Sequence, residues 1–421
     1  MGIALFEDSQ WRNFAPISLT KATFDIKVGA RNFFEEHRLA PETLLTREYL
    51  AHVTRERHAN CKVNPASIDS DTIFVNGTLH PSAIYPDPLL DSSHTFAITS
   101  HNSSRLLIAR LDSKGIEHLQ DCVAAGKRIE VKKLKVEKST KLEDHDIKFI
   151  LWEPWDIIRL LENSLATHVC SMKNEAQLDK GVRVIGSNPI ALGKDATVEV
   201  GTVFDTRNGG IYIGSSAYVA TSRIVGPAYV GDMTQIKQFT TVEASYIGYN
   251  CRIAGEVDHS IISDYTNKAH AGFVGHSYIG EWVNIGAMTT TSDLKMTYGN
   301  IKMSRGKYKA DTGQNKIGSF VADMVKTSIG TLVYSGRGIG VSSHLHGLVA
   351  EDVPSFTIYG MSIGARNTEL MLDSIIETQK KMMVRRNQMM SKAYEQMIKH
   401  VFAATAEDRK KHGVRKGMFA L

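Results

Sequence analysis

The stretch Asn267-Lys268-Ala269-His270-Ala271-Gly272-Phe273-Val274-Gly275, with Asn284 shortly after it, concentrates side chains that could do chemistry. A neutral imidazole at His270 titrates close enough to working pH to take a proton from a nucleophile. Charges able to meet an anionic ligand stand nearby in sequence. They are Lys237, Lys268, and the Lys295 and Lys302 of a polar stretch, Thr289 to Thr312, that also holds Asp293, Tyr298, Arg305 and Lys307. His270 alone decides little, because a single histidine is more often structural than catalytic.

The scaffold that must position these groups is written as a repeat. Ile213-Gly214, Val225-Gly226, Val230-Gly231, Ile247-Gly248, Ile253-Ala254, Val274-Gly275, Ile279-Gly280 and Ile285-Gly286 each set an aliphatic residue before a small one. Many steps are six residues, with occasional fives, and the register returns at 213, 230 and 247. This spacing predicts a parallel β-helix of hexapeptide repeats, with three short strands to each triangular coil. The aliphatic side chain should point into the prism, and the small residue after it should permit the sharp corner. An antiparallel sandwich would show longer alternating runs joined by hairpin turns. The polar stretch should leave the prism as a loop, where binding groups commonly sit. Beyond it the repeat resumes at Ile317-Gly318, Ile329-Gly330 and Ile339-Gly340 and ends near Gly364.

Before the repeat, the chain reads as a compact α/β domain. Strands are expected at Ile3 to Phe6, Thr72 to Val75, Leu89-Leu90, Phe96 to Ile98 and Ile147 to Trp152. Helix-like spacing covers Phe24 to Glu36, Pro41 to Arg57, a segment near 114 to 125, and Trp155 to Leu165. A phosphate-cradling turn would need glycine after the first strand. Here Glu7 to Ala15 contains none. After the repeat, Asn367 to Phe402 lacks Gly and Pro and places apolar pairs at 375-376, 382-383, 389-390 and 397-398. One long amphipathic helix is expected there, packing on its own coil or between subunits. The expected domains are 1–160, a linker 161–180, the β-helix 181–365, and a C-terminal helix with a basic tail, 366–421.

The net charge of +5 comes from the C-terminal tail, so no nucleic-acid-binding body is expected. Cys61, Cys122, Cys170 and Cys251 are scattered, which indicates neither a disulfide framework nor a metal site. No apolar run is long enough to span a membrane, and a reducing, cytoplasmic setting is expected.

Lys-Ala-His-x-Gly-Phe-Val-Gly at 268–275, followed by Ile-Gly-Glu-x-Val-Asn-Ile-Gly-Ala at 279–287, resembles the bifunctional N-acetylglucosamine-1-phosphate uridyltransferase/glucosamine-1-phosphate acetyltransferase family. Asp205-Thr-Arg-Asn-Gly209, and more loosely Pro16 to Lys21, are similar to the divergent branch found in archaea and the Bacteroidetes group. The resemblance implies a nucleotidyltransferase-like α/β domain, then a left-handed parallel β-helix and a C-terminal helix. It implies acetyl transfer from acetyl-CoA to an amino-sugar 1-phosphate, glucosamine 1-phosphate first, within a homotrimer. His270 falls at the place of the general base and Asn284 on an active-site asparagine. Substrate contacts would come from Lys237, Glu256, Asn267, Lys268, Asp293, Lys295, Lys302 and Arg207. Lys316 and Arg337 would meet the phosphates of coenzyme A. Asp258 and Asp293 replace a family lysine and asparagine, and Phe273 replaces a tyrosine. Two rival readings follow: a sugar-1-phosphate nucleotidyltransferase using Mg2+, with the β-helix as an oligomerisation or regulatory module, and a catalytically silent ligand-binding scaffold.

Overall fold

The computed structural model of the protein describes residues 2–37, 40–80, 94–101, 104–142, 150–306 and 308–419. Leu89-Leu90, Ile147 to Phe149 and Lys307 lie outside these residues.

The N-terminal sheet has seven strands in the order β3-β2-β1-β4-β6-β5-β7. They are β1 (Ile3–Phe6), β2 (Thr43–Leu45), β3 (Lys62–Val63), β4 (Ile73–Asn76), β5 (Phe96–Ser100), β6 (Leu106–Arg110) and β7 (Lys138–Leu142). β1 lies between β2 and β4, parallel to both, and is buried along its whole length. A strand covered on both faces reads as an unbroken apolar run, which is why Ile-Ala-Leu-Phe was recognisable. Helices cover Ser113–Ala124 and Trp155–Cys170 as expected.

Two expected helices fail. Within 24–36 only Phe33–Glu36 is α-helical, and within 41–57 the chain makes β2, a 3-10 turn, and a helix only at Ala51–Arg57. Thr43-Leu44-Leu45 satisfies the backbone of β1, a tertiary demand that outweighs the local apolar spacing.

From Arg183 the chain winds into the expected parallel β-helix, and its three faces repeat in chain order. Face one runs through strands beginning at Arg183, Val203, Arg223, Thr241, Glu256 and Phe273. Face two carries Ile190, Ile211, Ala228, Tyr246, Ile261, Tyr278, Phe320 and Gly338. Face three carries Thr197, Tyr218, Gln235, Arg252 and Asn267, and continues through bridges at Asn284 to Lys326 and His344. The interior column is aliphatic, with Val219, Ile236, Ile253, Val257, Val274 and Ile279 all buried.

The glycines act differently from expectation. The left-handed backbone at the corners between faces two and three is carried by Ser216, Met233, Asn250, Tyr265 and Trp282, two or three residues after the aliphatic position. Gly214, Gly231 and Gly248 do not have positive φ; they are needed for closeness. A Cβ on Gly231 would meet Gly248 carbonyl oxygen at 2.6 Å, and one on Gly214 would meet Asp232 Oδ1 at 2.4 Å. Asp232, Asp264 and Asp323 each accept an N–H from the preceding corner, at Ser215, Tyr249 and Glu281.

The polar insertion does not hang free. It forms a hairpin of Lys302–Arg305 against Tyr308–Asp311, whose Ile301 and Met303 pack with Trp155 and Phe14 of the N-terminal domain. Arg305 also donates to Asn13 carbonyl and pairs with Glu153.

The C-terminal segment is three helices, Leu372–Val384, Lys392–Ala404 and the short Ala406–Lys411, and the expected single helix is split between the first two. Asn387 takes a left-handed conformation between them, and Ser391 caps the second. Breaking the helix lets both apolar stripes fold onto Trp282, Met324 and Phe356. The Pro16 to Lys21 segment docks the two domains. Lys21 pairs with Glu281 at 2.9 Å and Asp323 at 3.1 Å, Thr20 donates to Asp323, and Arg57 pairs with Glu281. Burial opposes charge on Lys21, but those two carboxylates hold its pKa above the usual lysine value. Among the described residues, no helix is long and apolar enough to cross a membrane.

Candidate active site

His270 sits at the tip of the corner between faces three and one, and its ring is exposed. The shape beside it comes from one irregular coil. Interior positions across this corner are six apart from Ile236 to Val242 and from Lys268 to Val274, but only four apart from Ile253 to Val257. Two residues are therefore missing from the Ala254-Gly255 corner. The longer corners above and below overhang it and leave a groove of about 570 Å³, with Ala254 in its lining, between His270 on one side and Lys237, Gln238 and Phe239 on the other. Tyr218 and Gln235 complete the wall. The sequence reading named His270 and Lys237 but missed Gln235, Phe239 and Tyr218; the four-residue step was the available signal.

Lys268 does not face this groove. In the ladder Ile236–Ile253–Lys268 it occupies an interior slot, and the residue is 1% exposed. Its ammonium donates to Ala254 carbonyl at 2.5 Å, Gly272 carbonyl at 2.8 Å and His270 carbonyl at 3.4 Å. Burial lowers its pKa to about 8. Lys268 thus ties the base of the His270 corner to the short corner beneath it. Gly255 makes room, because a Cβ there would meet Lys268 Nζ at 2.9 Å and Gly272 carbonyl at 2.6 Å, and its φ of +78° suits glycine. Glu256 follows on face one, exposed, and its charge acts on Lys268.

Asn267 and Asn284 meet on face three, with Asn267 Nδ2 donating to Asn284 Oδ1 at 2.8 Å. Asn267 precedes His270 by three residues, roughly 10 Å of extended chain, and Asn284 lies beside Asn267 on the next coil. Above them on the same face stand Lys326 and His344. Burial, with the neighbouring Lys326 charge, lowers the His344 pKa to about 4, and His346 stacks on Phe419.

The remaining expected site residues gather at the next edge, between faces one and two. Asp293 accepts from His276 Nδ1 at 2.7 Å, and Asp258 pairs with His259 at 2.6 Å. Lys316 bridges Leu294 there, with Asp258 in its field, and Arg337 donates to Ser335 carbonyl. Lys295 donates to Asn300 carbonyl and Lys302 lies on the hairpin. Arg207 is bound to Asp205, Nε to Oδ1 at 2.8 Å, several coils from His270. Within one chain these groups are separated from His270 by face one.

In the N-terminal domain the crevice beyond the carboxyl end of β1, at the change of strand order, is where such a fold would hold a ligand. Glu7 is taken up by Thr46 at 2.6 Å, the Arg47 backbone N–H at 2.8 Å and Arg47 Nε at 2.9 Å. Asp8 is taken up by Arg105 Nε at 2.5 Å and Asn76 at 2.8 Å. Arg47 lies over the Trp11 ring. The Glu7 and Asp8 carboxylates are thus committed to guanidinium groups, and among the described residues at this end of β1 they do not make a donor set for Mg2+.

Comparison with known proteins agrees with this two-part organisation. Residues 3–176 match the sugar nucleotidyl transferase family. The chain is 26% identical over 213 residues to a bifunctional sugar-1-phosphate nucleotidylyltransferase/acetyltransferase of Sulfurisphaera tokodaii, covering 48% of each protein. It is 23% identical over 156 residues to the bifunctional protein GlmU of an Azoarcus species, covering 32% of this chain and 33% of that one. The matches thus span half or less of these relatives' length. A UDP-N-acetylglucosamine acyltransferase structure from Campylobacter jejuni aligns with 53% of this chain and 95% of its own at 12% identity, with a TM-score of 0.32, too low to carry any residue correspondence. A sugar nucleotidyl transferase match at the N-terminus and a parallel β-helix after it make the chain similar, at modest identity and over half or less of their length, to bifunctional sugar nucleotidyltransferase/acetyltransferase proteins.

Proposed function

We propose that the β-helix is an acetyl-CoA-dependent N-acetyltransferase acting on an amino-sugar 1-phosphate, glucosamine 1-phosphate being the first acceptor to try. The observation that carries this reading is the groove left by the short Ala254-Gly255 corner, with an exposed imidazole on one lip and the Lys237 ammonium on the other. The amine nitrogen attacks the thioester carbonyl, His270 takes the proton it loses, and the C–S bond breaks to release the thiol. Positive charge from Lys237 and the amide chemistry of Gln235 suit the anionic and polar parts of the two substrates.

The same edge supports assembly as a homotrimer. Val200, Phe239, Met288 and Ile329 lie at four of its corners, 63%, 85%, 61% and 79% exposed, and supply apolar surface suited to a second copy of the chain. In such an assembly Arg207, Asp293, Lys295, Lys302, Lys316 or Arg337 of one copy could approach His270 of another. A cytoplasmic site of action fits the substrates. Thiol release from acetyl-CoA in the presence of glucosamine 1-phosphate tests the activity. No release with wild-type protein, or full release with His270→Ala, would overturn it.

A second reading, nucleotidyl transfer by residues 3–176, rests on the family match. The occupied Glu7 and Asp8 carboxylates weigh against it. Pyrophosphate release from UTP or dTTP with a sugar 1-phosphate tests it.

A further inference from the structure

We infer that the edge between faces one and two holds a divalent transition-metal ion on His276, Asp258 and Asp293. Three separate parts of the chain converge there. Asp258 ends a face-one strand, His276 opens the corner one coil above, and Asp293 begins the insertion. His276 Nδ1 lies 2.7 Å from Asp293 Oδ2 and 3.9 Å from Asp258 Oδ2. One imidazole nitrogen carries at most one proton, so it can serve one of these carboxylates while the other faces a like charge. A cation bound at about 2.0–2.2 Å would take that nitrogen and one oxygen from each carboxylate.

His259 belongs to the outer shell. Its ring stacks on His276 with centroids 4.9 Å apart and planes 2° from parallel. The nitrogen lone pairs of parallel rings cannot converge on one ion, although donor atoms of Asp258, His259 and His276 all lie within 4.8 Å of one another. His259 Nδ1 instead bonds Asp258 Oδ1 at 2.6 Å and so orients the carboxylate that would bind the ion. Glu162 stands 3.7 Å from His259 Nε2, and Lys316 and Glu243 complete the charged surroundings. Gly275 is what lets Asp293 approach, since a Cβ there would meet Asp293 Oδ2 at 2.7 Å.

One nitrogen and two oxygens suit Zn2+ or Mn2+ better than Ca2+, which takes six to eight oxygens. Three protein ligands also leave a position open for water or a bound anion. The inference needs no substrate, so zinc binding is tested apart from the acyl-transfer reading.

The test is calorimetric titration of chelator-treated, full-length protein with ZnCl2, with MgCl2 in excess as a competitor. The expected result is one ion per chain, held despite Mg2+, at least tenfold weaker in Asp293→Asn and His276→Gln, and about tenfold weaker in His259→Gln. X-ray absorption of the zinc-loaded wild type should show a single imidazole among oxygen donors, a readout that depends on no variant. Absence of stoichiometric binding, binding unchanged in both variants, or a spectrum with several imidazoles or with sulfur would overturn the inference.

Discussion

Two edges of the same prism, only one face apart, are finished in opposite ways. At the His270 edge a corner has lost two residues, and the groove opens to solvent with an imidazole and an ammonium on its lips. At the His276 edge the coil has gained an insertion, and the hairpin closes against the N-terminal domain. There the imidazoles are tied to carboxylates. The lesson is that a β-helix changes function by corner length. The interior column stays stacked through both irregularities, aliphatic except for Lys268 beside the short corner, so shortening or lengthening a corner alters the surface while the stack continues.

The sharpest way to break this comparison is to remove the irregularity. Inserting two residues between Ala254 and Gly255 restores the six-residue step, and it is expected to fill the groove and abolish acetyl-CoA binding in calorimetry while circular dichroism stays unchanged. His270→Ala should lower the acetyl-transfer rate at least about a hundredfold with coenzyme affinity kept. Lys268→Met removes the donor shared by the Ala254 and Gly272 carbonyls. It should cost about 1–3 kcal/mol in denaturant unfolding and lower kcat more than it raises KM, because the His270 corner loosens.

The smallest effect is one of pH. Buried His344 titrates near 4 in the folded protein and near 6.5 in the unfolded chain. The unfolded form therefore binds more protons in that window, and stability is lost as pH falls from about 6.5 towards 4. His344→Gln should flatten this part of the stability profile, measured by thermal unfolding across the window.

Much of the β-helix was legible because its stack is local and periodic. Each aliphatic residue of the Ile213, Val230 and Ile247 register has the same task as its neighbour one coil away. The corner glycines were recognised as corner residues for the wrong reason, since sequence shows smallness but not whether φ or closeness requires it. The N-terminal domain was harder to read. Thr43-Leu44-Leu45 is a strand only because β1 needs a partner, and nothing local announces that. The C-terminal break at Asn387 was hidden for a similar reason, as apolar pairs seven apart fit one helix or two folded onto a common surface.

For the candidate site, the resemblance of 268–287 to the acetyltransferase family singled out His270 and Asn284, with Lys237 and Asn267 as further candidates beside them. The resemblance could not show that Lys268 points inward onto three carbonyls, or that Asp293 turns towards His276 rather than His270. Those outcomes depend on which edge each corner occupies, and that follows from the cumulative winding of every coil before it. Periodicity determined the column; only the wound chain decided which side chains share an edge.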